Sequence, residues 1–150
     1  MLLAAILLAG AAMRSRRGAA ALKHFAAAHC VPVALTWKNQ DVFDNSSPLY
    51  AGHVGFGTPP AHRKALADAD LIIACGTRLG DIASRTYSFP RAPEPEQTLI
   101  HIYPDAAPIG AVFRTDLGIV ADPAVLLDDL ARRPSTTGPQ REAWAATLGA

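Results

Sequence analysis

The sequence is poor in cysteine, in aromatic residues and in net charge. It contains 2 cysteines and 7% aromatic residues, and its formal net charge is +1. Cys30 and Cys75 lie far apart and form no CxxC pair, so neither a disulfide framework nor a zinc motif is indicated. The balanced charge gives no basic surface for nucleic acid or for a membrane, and we expect neither partner. We expect Cys75, inside an apolar run, to be a buried reduced thiol, which fits a cytoplasmic protein.

The sequence also lacks an apolar run long enough to span a bilayer as a helix. The apolar segment 1–13 is short, and Arg14, Arg16 and Arg17 follow it. A secretory signal carries its positive charge before the apolar part, not after it. We therefore interpret the segment as a buried strand followed by a glycine turn. A signal peptide or anchor is the alternative that stays open, because nothing before Met1 supports the strand.

Short apolar runs alternate with helix-like segments along the 150 residues. The apolar runs predict strands at 5–9, 31–36, 71–75, 98–103 and 117–120. Helices are predicted at 17–29, 59–69 and 123–132. Fully apolar strands joined by helices indicate a parallel sheet that is covered on both faces. The predicted fold class is therefore α/β, a three-layer, Rossmann-like open parallel sheet.

Local signals predict how the elements begin and how the chain is divided. Thr58 is the expected N-cap of the second helix, with Pro59 at its first position, and Asp122 is the expected N-cap of the third. Residues 37–58 are predicted to be an irregular loop. We assign residues 1–132 to one domain and residues 133–150 to a linker and a short C-terminal helix. The third helix is expected to bury Val125, Leu126, Leu127 and Leu130.

Three segments carry a recognisable pattern, namely PLYAGHVGFGTP at 48–59, ADADLIIACGTR at 67–78, and IHIYPD with IG at 100–110. In order and spacing they resemble the central domain of thiamine-diphosphate (ThDP) enzymes, the family of acetolactate synthase, benzoylformate decarboxylase and oxalyl-CoA decarboxylase. The resemblance covers residues 6–130. It implies the deoxyhypusine-synthase-like (DHS-like) NAD/FAD-binding type of sheet, a homo-oligomer, and a parent enzyme that acts as a 2-oxo acid decarboxylase or carboligase. Two further domains of that enzyme would hold ThDP and Mg²⁺.

This sequence lacks the residues that bind ThDP. A Mg²⁺–diphosphate site needs hard oxygen ligands at fixed spacing. Gly80-Asp81 is followed by Ile82 where the family motif has glycine, and no asparagine follows Asn45. The three glutamates occur late in the chain, and none matches the activating glutamate of the family. We therefore predict no catalytic residue, no metal ligand and no resident cofactor for this chain alone, with ThDP and Mg²⁺ confined to the parent enzyme.

The sequence leaves open whether the domain binds FAD or ADP. Gly10 lies in the turn after the first strand, where a pyrophosphate would approach the backbone. Ala11 and Ala12 follow it, whereas FAD-binding relatives have two or three successive glycines there. By resemblance, the turn with Gly76, Arg78 and Asp81 contacts the phosphates and ribose of the cofactor. Tyr103 replaces the aspartate of the family, and Asp105 remains as a nearby carboxylate. The candidate cofactor-binding residues are Gly10, Gly76, Arg78, Asp81 and Asp105.

Three hypotheses follow from these residues. The first is the central structural domain of a ThDP-dependent enzyme, separate from its catalytic domains through truncation, gene splitting or excision. It predicts contact surfaces on the outer helices for the missing ThDP-binding domains or subunits, and a flexible tail after Arg133. The alternative is a stand-alone module that binds FAD, ADP or NAD through the turns at Gly10 and Gly76. A sirtuin-like or deoxyhypusine-synthase-like NAD enzyme is a third possibility, supported by fold analogy alone. His101 is expected to be a core or edge histidine with a bonded ring, and His53 a loop or interface residue.

Overall fold

The computed structural model describes residues 4–149, and its centre is a sheet of parallel strands. The described strands are β1 Ala5–Ala9, β2 Val33–Thr36, β3 Tyr50–Val54, β4 Leu71–Cys75, β5 Thr98–Tyr103 and β6 Leu117–Val120. Their order is β3-β2-β1-β4-β5-β6, and every neighbouring pair is parallel. This arrangement confirms the predicted α/β class with an open, Rossmann-like parallel sheet. In a sheet with this order, the connections reverse direction at β1, so a switch point lies between β1 and β4.

Helices cover both faces of the sheet and make it a three-layer structure. The helices are α1 Arg16–His29, α2 Pro60–Ala67, α3 Pro123–Ala131 and α4 Pro139–Leu148. Leu7 belongs to the core cluster that includes residues of α1 and α3, whereas Ile6 and Leu8 belong to the cluster with residues of α2 and α4. Successive side chains of a strand point to opposite faces. A strand buried on both faces needs an unbroken apolar sequence, and β1 has one.

Four of the strands were predictable to the residue. β1, β4, β5 and β6 begin and end where the sequence predicts. β2 begins at Val33, two residues later than predicted. The reason is that Val31 closes the turn that follows α1, where its N–H donates to the Ala26 carbonyl of the helix at 3.1 Å. Pro32 follows and has no N–H to donate to a neighbouring strand.

β3 lies inside the segment 37–58, which the sequence predicts to be irregular, and this prediction is wrong. The strand forms one edge of the sheet and pairs with β2 across a register shift between Val33 and Leu35. Gly52 adopts a φ of +72°, and the His62 ring N–H donates to the Ala51 carbonyl at 2.7 Å. A glycine and a histidine in an edge strand interrupt the apolar pattern. The interruption hides the strand from a periodicity argument.

The predicted start of α2 is also wrong. Thr58 does not cap the helix, because its hydroxyl donates to the carbonyls of His53 at 3.2 Å and Gly55 at 2.9 Å. Thr58 therefore closes the turn after β3. Pro59 occupies the N-cap position, and α2 runs from Pro60 to Ala67, two residues short of its predicted end.

The start of α3 agrees with the sequence. The Asp122 carboxylate accepts the N–H groups of Ala124 at 2.9 Å and Val125 at 3.2 Å, as expected of an N-cap. Val125 is 44% exposed, which contradicts its predicted burial. Ala124 and Leu127 fill the buried side of the helix instead. The buried face of α3 therefore includes Ala124, where the sequence predicts Val125.

The C-terminal segment packs on the domain. Residues 134–138 have no regular secondary structure, and α4 begins at Pro139. The Trp144 indole N–H donates to the Ala5 carbonyl of β1 at 2.8 Å, while Ala145 and Leu148 are buried. Where the sequence predicts a flexible tail with a short helix, the structure has a helix of 10 residues bound to the sheet. Trp144 and Leu148 supply the contacts that hold it there.

Two expectations about burial and membranes can be compared with the structure. Cys75 is fully buried, as predicted, and desolvation raises the pKa of its thiol to about 12. Within residues 4–149, no helix is both long enough and apolar enough to cross a membrane. Residues 1–3, the start of the segment for which a signal peptide or anchor is the alternative, lie outside the described residues.

Candidate functional site

A cleft opens at the carboxyl edge of the sheet, beside the switch point. Its volume is about 380 Å³. Thr36, Trp37 and Asn39 after β2 line one side, and the turn after β4 lines the other. Tyr103 at the end of β5 and Ala11 after β1 complete the lining. The carboxyl ends of parallel strands meet at one edge, and ligands of open α/β sheets bind at this edge. The cleft therefore occupies the position that the fold favours for a ligand.

The structure brings together only part of the predicted site. Gly76, Arg78 and Asp81 line the cleft. Gly10 is buried beneath it, and Ala11 is the residue of that turn which faces the cleft. Asp105 does not line the cleft, although its charge acts on the Arg78 guanidinium. Gly10 and Asp105 are therefore peripheral to the cleft.

The charged groups of the cleft are bound to protein neighbours. The Arg78 Nε–H donates to the Tyr103 hydroxyl at 3.3 Å, and the guanidinium lies 6.0 Å from the centre of the Tyr103 ring. This hydrogen bond, with a smaller effect from Asp105, raises the pKa of Arg78 further, so the guanidinium keeps its charge. The Asp81 carboxylate accepts the Ile82 N–H at 2.8 Å, and the Asp105 carboxylate accepts the Ala107 N–H at 2.9 Å. Both aspartates thus stabilise their own turns.

The turn after β1 bonds to the end of β4. The Gly10 N–H donates to the Cys75 carbonyl and the Ala12 N–H donates to the Gly76 carbonyl, both at 3.0 Å. The Met13 N–H donates back to the Gly10 carbonyl at 3.0 Å, which closes a 3₁₀ turn over Ala11–Met13. The backbone donors of Gly10, Ala12 and Met13 are therefore bonded to carbonyls of the protein.

Two residues that support this turn were not assigned to the site by the sequence. Thr77 is 5% exposed and covers Gly10. His101 is 1% exposed, and its Nε2–H donates to the Thr77 carbonyl at 2.8 Å. Burial lowers the pKa of His101, and the bond to Thr77 offsets part of this effect. The prediction that His101 is a core residue with a bonded ring is confirmed. Thr77 carries no sequence signal, because its role depends on the approach of β1 and β4.

The described residues do not fit ThDP and its metal ion. No group of three or more His, Cys, Asp or Glu side chains within residues 4–149 could hold a metal ion. Asp81, in the Gly-Asp pair nearest to the family motif, uses its carboxylate on the adjacent N–H. Within residues 4–149, the turn nearest to the family motif therefore does not form a metal-binding group by itself.

Comparison with known proteins identifies the family. The model of the thiamine pyrophosphate enzyme central domain matches residues 4–130. The probable acetolactate synthase large subunit of Methanocaldococcus jannaschii is 36% identical over 100 residues, which are 67% of this chain and 16% of that protein. The sulfoacetaldehyde acetyltransferase of Rhodobacter capsulatus is 32% identical over 118 residues, or 77% of this chain and 20% of that protein.

A third relative matches a similar share of the chain. The acetolactate synthase large subunit of Lactococcus lactis subsp. lactis is 28% identical over 117 residues, which are 78% of this chain and 20% of that protein. The matches thus span between 16% and 20% of the length of these three relatives. Since the family model covers most of the chain and agrees with the sheet described above, the chain belongs to the family of thiamine pyrophosphate enzyme central domains.

Proposed function

We propose that the chain is the central structural domain of a ThDP-dependent 2-oxo acid decarboxylase or carboligase, such as acetolactate synthase. Catalysis then requires ThDP-binding domains or subunits in addition to this domain. The family match over residues 4–130 is the observation that carries the proposal. The names of the relatives divide between acetolactate synthase and sulfoacetaldehyde acetyltransferase. The proposal therefore does not include the substrate of the parent enzyme.

Exposed apolar side chains support contacts with other domains or with further copies. Trp37 is 47% exposed and Phe56 is 56% exposed, and both follow strands at the carboxyl edge. Leu117 and Val120 of the edge strand β6 are also about half exposed. Large exposed apolar residues often mark interaction surfaces. We include a homo-oligomer in the proposal for this reason, and a cytoplasmic location because Cys30 and Cys75 are free thiols.

A chimeric enzyme tests the proposal. Residues 4–130 would replace the matching segment of the acetolactate synthase large subunit of M. jannaschii. We expect the chimera to fold, to bind ThDP in the presence of Mg²⁺ and to form acetolactate, whereas a matched variant with the segment deleted should do none of these. Calorimetry, gel filtration and an acetolactate assay give the three readouts. A folded chimera that does not bind ThDP would contradict the scaffold function.

The competing function is a stand-alone module for FAD, ADP or NAD, and the cleft is the observation that favours it. Thermal unfolding of the purified chain separates the two functions. A ligand at a hundred times its dissociation constant stabilises its binding state by about 2.7 kcal/mol, which raises Tm by several degrees. As a scaffold, the chain should show no shift with FAD, ADP, NAD or ThDP plus Mg²⁺. A saturable shift with a nucleotide would favour the module.

A further inference from the structure

FAD and ADP are the nucleotides that the family resemblance implies for this sheet, and both need a place for two linked phosphates. In dinucleotide-binding folds, that place is the turn after the first strand. Unbonded N–H groups at the start of the following helix point at the phosphates, and glycine lets them come close. The turn after β1 can be tested for both features, namely free donors and open space.

Five of the six N–H donors of residues 10–15 are already used, and only that of Ala11 has no bonded acceptor in the described structure. The N–H groups of Gly10 and Ala12 donate to carbonyls at the end of β4, and the Met13 N–H donates to Gly10. The next two N–H groups, of Arg14 and Ser15, donate to the carbonyls of Ala11 and Met13 at 3.1 and 2.8 Å. A phosphate would have to replace these bonds, and each lost internal hydrogen bond costs free energy.

The space above Gly10 is also filled. A Cβ atom built on Gly10 would lie 2.5 Å from the Thr77 Cβ, 2.6 Å from the Thr77 Cα and 2.7 Å from the Gly76 carbonyl oxygen. Two of these neighbours are backbone atoms, which cannot swing aside as a flexible side chain can. Gly10 is therefore required for packing against the turn after β4. The absence of a side chain at Gly10 does not open room for a ligand.

The helix that follows is set back from the strand. Residues 10–15 separate β1 from α1, and the Ser15 hydroxyl caps the helix by accepting the Gly18 N–H at 2.9 Å. Because the 3₁₀ turn lies between β1 and α1, β1 does not lead directly into the N-terminus of α1. The strand–turn–helix unit thus lacks the geometry that aims a helix at a pyrophosphate.

His101 fixes the turn after β4 through a hydrogen bond. Its ring N–H donates to the carbonyl of Thr77, the residue that covers Gly10. Because His101 is buried in the central part of β5, the position of Thr77 is tied to the sheet. We name the group formed by Gly10, Ala12, Gly76, Thr77 and His101 the β1–β4 lock.

We infer that the β1–β4 lock replaces the phosphate cradle in this protein, so the turn after β1 does not accept the pyrophosphate of FAD or NAD or the diphosphate of ADP. His101 is a positioning residue of the lock, since it acts through Thr77. The inference goes beyond the proposed function, because it concerns the backbone of one turn and not the requirement for further ThDP-binding domains. The chimera tests the scaffold, and the experiment below tests the lock.

NMR of the intact chain gives a direct test, with inorganic pyrophosphate, ADP and FAD as the probes. We expect slow hydrogen exchange at the Gly10 and Ala12 amides and no saturable chemical-shift change at either amide with any probe. Rapid exchange of both amides in the free protein would overturn the inference. Saturable shifts of both amides would overturn it as well. A known flavoprotein under the same conditions provides the positive control for FAD.

A variant pair tests the part assigned to His101. His101→Phe removes the donor to Thr77, and exchange of the Ala12 amide should rise at least tenfold relative to amides of β2. Tenfold corresponds to about 1.4 kcal/mol of local opening free energy. His101→Gln keeps an N–H donor and should restore slow exchange, and His53→Phe serves as a matched control outside the lock. Equal exchange at Ala12 in His101→Phe and His53→Phe would overturn the positioning role.

Discussion

The turns after β1 and β4 lie side by side at the carboxyl edge, yet they use their backbones differently. The turn after β1 donates the N–H groups of residues 10–15, except that of Ala11, to carbonyls of the protein, and it buries Gly10 under Thr77. The turn after β4 faces the cleft, and within the described structure the N–H groups of Thr77 and Arg78 have no bonded acceptor. A glycine after a strand of a Rossmann-like sheet is therefore not in itself a sign of phosphate binding. The two turns differ in how many of their N–H groups are bonded, since in the turn after β4 the Gly76 N–H donates to the Ile102 carbonyl of β5 but the next two donors are unbonded.

The sharpest test of this difference is Gly10→Ala. The added methyl group would overlap Thr77 and the Gly76 carbonyl oxygen at 2.5 to 2.7 Å, where backbone atoms cannot give way. We expect a loss of about 3 kcal/mol in the free energy of unfolding, the upper part of the range for overpacked sites. Urea denaturation followed by circular dichroism measures it. The control is Gly80→Ala, because a Cβ there has no neighbour within 4 Å, and its effect should stay within about 0.5 kcal/mol.

Gly76→Ala should have the next largest effect. Gly76 has a φ of +67°, and a Cβ there would lie 3.1 Å from the Ala12 Cβ. A left-handed conformation costs a non-glycine residue roughly 1–2 kcal/mol, and the contact with Ala12 adds to this cost. We expect a destabilisation of about 2 kcal/mol in the same urea assay. A loss equal to that of Gly80→Ala would show that the turn after β4 adapts freely, which would weaken the contrast between the two turns.

The third prediction uses the pH dependence of stability. Burial lowers the pKa of His101 in the folded chain below its ordinary value of 6.5. As the pH falls below 6.5 towards this lower value, the unfolded chain takes up a proton that the folded chain does not, so stability must decrease. The slope for one proton is at most about 1.4 kcal/mol per pH unit. Stability from His101 is therefore fully present above pH 6.5 and lost on acidification.

His101→Gln should remove this contribution, since glutamine does not titrate. Urea titrations of both proteins between pH 7.5 and pH 5 measure the difference in slope, and carboxylates common to both proteins cancel. Parallel pH profiles for wild type and variant would mean that His101 does not stay neutral in the folded protein.

The smallest effect is expected for Arg78→Gln, in the turn after β4, which faces the cleft. Arg78 is exposed, and its contact with Tyr103 is a single hydrogen bond at 3.3 Å. An exposed polar substitution of this kind changes stability by no more than about 0.5 kcal/mol. Differential scanning calorimetry should therefore show an almost unchanged Tm. A large loss of stability would place Arg78 in the packing of the domain, together with Gly10.

The sequence predicted the strands that carry a run of large apolar residues and missed the one that does not. β1 and β4 are buried along nearly their whole length, so an unbroken apolar run marks them. β3 is an edge strand with Gly52 in the left-handed region, and its pattern resembles a loop. Thr58 has the residue type of an N-cap but bonds to the turn before it. The residue type alone cannot show whether the Thr58 side chain bonds to the helix after it or to the turn before it.

The candidate site was less predictable than the fold. Gly76, Arg78 and Asp81 lie in one continuous turn, and the family resemblance had assigned them together to a turn that contacts a cofactor. Gly10 was assigned by its position after a strand, a rule that does not include the approach of Thr77 from β4. This contact joins residues that are far apart in the chain, so no spacing argument could have revealed it. The role of His101 depends on the same contact.

The bond between Trp144 and Ala5 has a consequence for how the protein is made. It joins residues 139 positions apart and caps the first residue of β1, a strand at the centre of the sheet. Contacts at such long sequence separation slow folding, because the chain must close a large loop before they form. During synthesis, β1 therefore leaves the ribosome 139 residues before the side chain that bonds to its first carbonyl.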